Sequence, residues 1–123
     1  MAEFVVDASA LAKELKDEPR SAEFRAWHDG QLGAGAVLSS SEMLGYEMAQ
    51  FGRRHGRYPE ALLLVEGLVL HGAFADLGPF LDALSAYDAS YLAVAARRSA
   101  PLVTYDDRMQ VEARRHGIEV LAP

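Results

Sequence analysis

The sequence predicts an α/β fold: a three-layer α/β/α sandwich around a central parallel sheet of about five strands. Two observations predict it. Short apolar, β-branched runs recur along the chain, each too short for a helix. A helical stretch separates each run from the next, as in a parallel sheet covered on both faces. Connections this short imply right-handed crossovers. The chain has 123 residues, 50% of them hydrophobic, which bounds it as a single domain, residues 1–123, with enough apolar surface for a core.

Phe4-Val5-Val6 reads as the first strand, and Asp7 ends it. Ser9 follows, then Ala10, Leu11, Ala12 and Leu15 form a helical stripe that runs out at Lys16-Asp17-Glu18-Pro19. A second helix is expected from Ser21 to Trp27, stopping at Asp29-Gly30. Gly33-Ala34-Gly35 is loop, and Ala36-Val37-Leu38 is the next strand. Ser39 to Ser41 then open a helix that runs to about His55, where Gly56 terminates it. After Pro59 a helix from Glu60 to Glu66 leads through Gly67 into a third strand, Leu68-Val69-Leu70. Gly72 to Ala86 is the least regular segment: Gly78-Pro79 breaks it, and Phe80, Leu81 and Leu84 suggest a short helix. An alanine-rich helix beginning at Asp88 follows, and Pro101 stops it. Leu102-Val103-Thr104-Tyr105 is strand-like and ends at Asp106-Asp107. A helix from Arg108 to His116 and a last strand, Ile118 to Leu121, complete a pattern of about five strands and about seven helices.

Composition narrows the function. There is no cysteine, so neither a disulfide framework nor a thiolate metal site is available. No run approaches the length of a membrane span, and MAEFVVDAS lacks the basic start of a signal peptide; a cytoplasmic protein without a membrane partner is expected. The net charge is -6, from 18 acids against 12 Lys plus Arg, which argues against a nonspecific nucleic-acid binder. The arginines nevertheless cluster at Arg53-Arg54 with Arg57, Arg97-Arg98 and Arg114-Arg115. Local phosphate-binding patches therefore stand beside the plainer reading of solvated helix backs.

In an open parallel sheet the ligand crevice lies outside the carboxyl ends of the strands. Asp7 and Asp106 each follow a strand directly, so both fall on that edge. Asp88 begins the helix that leads into the second of those strands, so it falls there too. Each also stands where a helix starts, and a capping role would account for any one alone. Three acids at one edge repel one another and call for a cation.

Glu42 and Glu47 compete for a fourth place, about 140° apart on one helix. Leu44, Met48 and Phe51 mark its apolar stripe. Glu47 flanks that stripe, whereas Glu42 falls opposite it and completes the capping-box spacing Ser39-x-x-Glu42. Glu47 is therefore the expected site residue. Hard cations such as Mg²⁺ or Mn²⁺ take oxygen ligands and keep several waters, so a few carboxylates suffice. Such ions activate water for phosphodiester hydrolysis.

Three segments, VVDASAL, SSEMLGYEMAQFGRR and YDASYLAVAARRSAPLVTYDDRM, together resemble the PIN domain family, with the greatest likeness to the VapC-type toxins of bacterial toxin–antitoxin pairs. The resemblance covers essentially the whole chain. It implies a metal-dependent endoribonuclease with catalytic, metal-holding acids at Asp7, Glu47, Asp88 and Asp106, and supporting hydroxyls at Ser9 and Thr104. It further implies an RNA substrate, commonly transfer RNA, a homodimer, and a small antitoxin partner that also binds DNA. Such an antitoxin is expected to lay a basic or apolar tail across the acidic groove. Apolar residues around Phe51 to Leu64 are the candidates for a dimer face.

Leu70 to Asp88 is shorter than the family pattern, so the helix before Asp88 is expected to be truncated or displaced. Asp107 reads as a first-turn acid serving the helix dipole, with a place in the site as the alternative.

Other chemistries fit less well. His28, His55, His71 and His116 lack zinc-ligand spacing, no glycine-rich phosphate loop is present, and Ser39-Ser40-Ser41 is not a nucleophile elbow. Trp27 and the tyrosines read as packing residues, Tyr58 and Tyr105 being the ones to watch for base stacking. One rival is an aspartyl-phosphate enzyme built on Asp7, which would want an acid where Ser9 stands and a lysine nearer than Lys13 or Lys16. The other is a non-catalytic binding module that keeps the acids as caps.

Overall fold

A computed structural model describes residues 2–123. The strands are β1 (Glu3–Val6), β2 (Val37–Ser41), β3 (Val69–His71), β4 (Leu102–Val103) and β5 (Val120–Leu121). They form one sheet in the order β3-β2-β1-β4-β5, with every pairing parallel. Among the described residues six α-helices flank it: α1 (Ala8–Leu11), α2 (Ser21–Gly33), α3 (Met43–Arg54), α4 (Tyr58–Glu66), α5 (Ala86–Arg98) and α6 (Asp107–Arg115). The expected α/β/α layering around five parallel strands is therefore present. The core lies on both faces of β1 and β4: Val5, Val6, Leu102 and Val103 are fully buried against Leu11, Leu44, Met48, Leu92 and Val94.

The order of the strands locates the functional edge. The chain steps from β1 outward to β2 and β3, then returns to the other side of β1 to form β4. The connections leaving β1 and β4 thus run to opposite sides, which opens a crevice between the carboxyl ends of those two strands. Val6 pairs in register with Val103, so Asp7 and Thr104 emerge side by side at that crevice.

Several local expectations give way. Ser39 to Ser41 do not open a helix; they continue β2, in register with Val69 to His71 of β3. Serine is a poor strand former, but here each hydroxyl finds a partner: Ser39 Oγ donates to Glu3 Oε2 (2.7 Å), Ser40 Oγ to the Val6 carbonyl (2.5 Å), and Ser41 Oγ accepts from Ser90 Oγ (2.7 Å). Tertiary pairing overrides propensity. The capping box at Ser39 and Glu42 consequently does not form: Ser41 Oγ takes the Met43 N–H (3.0 Å), and the Glu42 side chain makes no cap bond.

The second helix also passes its expected stop and runs to Gly33. Phe24 and His28 are buried along it, and Trp27 packs edge-on to Phe4 (ring centroids 5.1 Å apart). Residues 29–33 are exposed apart from half-buried Gln31, so it is propagation of an already nucleated helix, one hydrogen bond per added residue, that offsets the roughly 1 kcal/mol Gly30 costs. The short helix expected near Phe80 is instead a pair of 3₁₀ turns, Phe74–Asp76 and Gly78–Phe80. Pro79 lacks the N–H that a longer α-helix would use. These turns hand the chain to Ser85, which caps α5 by accepting the Asp88 N–H (3.2 Å). Asp88 is therefore the third residue of its helix, not the cap.

Candidate active site

Asp7 leaves the end of β1 and turns into the crevice, where it is 2% exposed. Its carboxylate accepts from the Ala10 N–H at Oδ1 (2.9 Å), capping α1 as the sequence allowed. Ser9 Oγ donates to Oδ1 (2.8 Å), and Thr104 Oγ1, from the end of β4, donates to Oδ2 (2.5 Å). An ionised carboxylate can only accept, so both hydroxyls donate to it. Ser9 Oγ accepts the Tyr105 N–H and Thr104 Oγ1 accepts the Asp106 N–H, both at 3.1 Å. Each hydroxyl relays a backbone N–H onto the carboxylate, which is thereby tied to both sides of the crevice. Three donors on about four acceptor positions leave room for one more partner. Burial is the main force on this group and pushes its pKa up to about 6, with Asp106 adding repulsion and the three hydrogen bonds opposing.

Asp106 is half-buried and caps α6, its Oδ1 accepting the Met109 N–H (3.1 Å). Asp88, half-buried in the first turn of α5, has its pKa raised by burial and then by Asp106; Ser85 and Arg108 pull the other way. Glu47, on α3, is also half-buried; burial raises its pKa first, and Asp88 adds to the effect. A chain of repulsion thus runs from Asp7 through Asp106 and Asp88 to Glu47. Four elements deliver the four acids to one edge.

Glu47 is held by a residue that the sequence did not single out. Tyr91, 1% exposed, donates its hydroxyl to Glu47 Oε1 at 2.7 Å. Burial and the nearby Glu47 carboxylate push the phenol pKa up, with smaller contributions from Asp7 and Asp88, so Tyr91 stays a neutral donor. Its position three residues after Asp88 puts both on neighbouring parts of one helix face. That spacing was the available signal, though in an apolar run it reads equally as core. Asp107, the alternative fifth member, is exposed on the first turn of α6, where an acid suits the helix dipole. Glu42 is exposed, lies beside Gly72, and among the described residues makes no side-chain cap bond to its helix.

Among the described residues, no three Asp, Glu or His side chains converge on one point as a closed metal cage would require. Three of the four acids are engaged by donors of the protein: Asp7 by the two hydroxyls, Asp106 by the Met109 N–H and Glu47 by Tyr91. The donor set nevertheless suits a hard divalent cation, since it consists of carboxylate oxygens only. Asp106 and Glu47 each commit just one of their two oxygens. An ion that keeps several waters needs only a few protein ligands.

The sequence matches the PIN domain family over residues 4–115. It is 31% identical, over 96% of this chain and 95% of the relative, to Ribonuclease VapC47 of Mycobacterium tuberculosis (strain CDC 1551 / Oshkosh). Among solved structures it resembles PAE2754 from Pyrobaculum aerophilum, with a TM-score of 0.62 and 20% identity over 97% of this chain and 83% of that one. It also resembles FitAcB from Neisseria gonorrhoeae, with a TM-score of 0.61 and 18% identity over 98% of this chain and 97% of that one. Identities this low bear on the fold alone.

Proposed function

The chain belongs to the PIN domain family, in its VapC-type branch, and from that premise we propose that it is a divalent-metal-dependent endoribonuclease, the toxin of a toxin–antitoxin pair. On this reading residues 1–123 form one nuclease unit working in the cytoplasm, and among the described residues no helix is long and apolar enough to cross a membrane. Asp7, Glu47, Asp88 and Asp106 would hold Mg²⁺, with Mn²⁺ as a substitute. When bound, such an ion activates a water and stabilises the leaving oxygen of the phosphodiester.

This chain's residues supply the rest. Ser9 and Thr104 orient Asp7 and offset part of its burial. Tyr91 fixes the rotamer of Glu47. Ser85 anchors the turn that carries Asp88. The observation that carries the reading is the buried Asp7 carboxylate, 2% exposed at the strand ends and held by Ser9, Thr104 and the Ala10 N–H. Burial first, and then repulsion from a neighbouring acid, raise the carboxyl pKa of Asp7, Glu47 and Asp88. Such repulsion is destabilising unless a cation offsets it.

A covalent phosphate on Asp7 is less well supported. Lys13, the lysine that would have to hold the phosphate, is occupied by Glu18 (3.2 Å) and the Pro19 carbonyl (2.8 Å). A small antitoxin is the proposed partner, and a homodimer the proposed assembly. For the dimer, Leu62, Leu63, Val69 and Leu70 expose apolar surface on α4 and edge strand β3, whereas Phe51 and Leu64 pack on the core.

The test is expression in bacteria of the wild type beside Asp7→Asn, followed by sequencing of RNA 5′ ends. Growth arrest with new RNA ends from the wild type alone is expected. Arrest without new ends would reject the ribonuclease reading.

A further inference from the structure

Two cavities meet at Glu47. One, of about 760 Å³, extends from Ser9 and Glu47 toward Lys13, Arg20 and Arg54 over a floor that includes Met48 and Phe51. The other, of about 440 Å³, extends from Glu47 past Asp88 to Tyr46 and Tyr87. Glu47 and Gln50 line both, so the two form one trough with Glu47 at its middle and Asp88 beside it, while Asp7 and Asp106 line neither cavity.

The ends of the trough differ chemically. At one end three cations gather in a chain whose net charge is -6. Lys13 is neutralised by Glu18 (3.2 Å) and Arg20 by Glu23 (3.3 Å). Arg54 has no ion pair among the described residues and is exposed. It follows Glu47 by seven residues on α3, about 20° short of two full turns and about 10 Å along the axis. Arg54 and Glu47 therefore share a helix face. At the other end Tyr46 and Tyr87 are 73% and 59% exposed, each beside a site acid in sequence.

We propose that this trough is the track for one unpaired RNA strand, Arg54 gripping a backbone phosphate on one side of Glu47 and Tyr46 and Tyr87 stacking on a base on the other. The proposal rests on the ribonuclease reading. Acids that hold cations can neutralise only the phosphate at the reaction centre; a flanking phosphate needs a cation of its own, and an unpaired guanidinium is suited to it. Exposed aromatic faces accept bases that are already unstacked, so the trough selects loops or single strands over duplex.

The test uses a fluorescein-labelled 12-nucleotide single-stranded RNA and fluorescence anisotropy, in an Asp7→Asn background that suppresses cleavage. Arg54→Ala should weaken binding and make the slope of log affinity against log salt shallower by about 0.7, while Arg54→Lys keeps the slope. Tyr46→Ala and Tyr87→Ala should each weaken binding by about 5- to 100-fold with the slope unchanged. All four should unfold at the temperature of the Asp7→Asn parent, since these side chains are exposed.

If the parent binds RNA and the variants bind it equally well, the track is wrong while the ribonuclease reading stands. Loss of antitoxin binding or of self-association with RNA affinity unchanged would reassign the surface to a protein partner. If the parent binds no RNA and the wild type cuts none, the ribonuclease reading fails and the track fails with it.

Discussion

Asp7 combines two roles in one side chain, a helix cap and a buried acid, and its pKa makes the combination measurable. An acid whose folded pKa of about 6 lies above its unfolded value holds more protons folded than unfolded between about pH 4 and 6. The contribution of Asp7 to the stability of the metal-free protein therefore falls as pH rises through that window, and its full penalty, on the order of 3 kcal/mol, applies above it. Urea unfolding in chelator at pH 4.5 and 7.5 should show the wild type losing more stability over that interval than Asp7→Asn. Equal losses would mean that ionised Asp7 carries no burial penalty.

Tyr91→Phe isolates the neighbouring contact. Removing the hydroxyl on Glu47 should lower stability in chelator by about 1–2 kcal/mol and weaken the thermal response to Mn²⁺. An unchanged Mn²⁺ response would show that Glu47 needs no orientation by Tyr91. The two acids that follow strands were legible because a strand ending in Asp is a local pattern. Tyr91 was not, because its role depends on how closely α3 approaches α5, and neither helix encodes that alone.

Among the elements, α3 and α4 pack against each other without a gap. A Cβ added to Gly52 would lie 2.7 Å from Ala61 Cβ and 3.0 Å from the Arg57 carbonyl. Gly52→Ala should thus destabilise the protein by about 1–3 kcal/mol through overpacking, measured by urea unfolding. A neutral result would mean that the helices can separate freely.

The serine run shows where local reading stops. Ser39-Ser40-Ser41 has the composition of a helix start, yet β1 and β3 capture it as strand and the acceptors Glu3 and Val6 satisfy its hydroxyls. This pairing prevents the capping box that would set Glu42 apart from Glu47. The two are distinguished instead by position: Glu47 flanks the Leu44–Met48 stripe and is half-buried, whereas Glu42 is exposed. The irregular stretch before α5 was unreadable because 3₁₀ turns leave no periodicity to detect.

For the whole molecule, the layers and the parallel sheet were legible from strand–helix alternation. The strand order was not, and it is the strand order that sets Asp7 beside Thr104. The fold brings like charges together at that edge, so a divalent cation should stabilise the native state by mass action. Mn²⁺ at about 100 times its Kd should add about 2.7 kcal/mol of stability and raise the melting temperature, and Asp7→Asn or Asp88→Asn should reduce the gain. Identical melting in Mn²⁺ and in chelator would remove the metal from the account.

The most direct measurement is cleavage of RNA by the purified chain in Mg²⁺ and in chelator, for the wild type and for Asp7→Asn, Glu47→Gln, Asp88→Asn and Asp106→Asn. The predicted result is discrete cutting by the wild type in Mg²⁺ only, with each variant reduced at least about 100-fold. Cutting by the wild type in chelator, or wild-type rates from folded Asp7→Asn, would contradict a metal-dependent site built on these four acids.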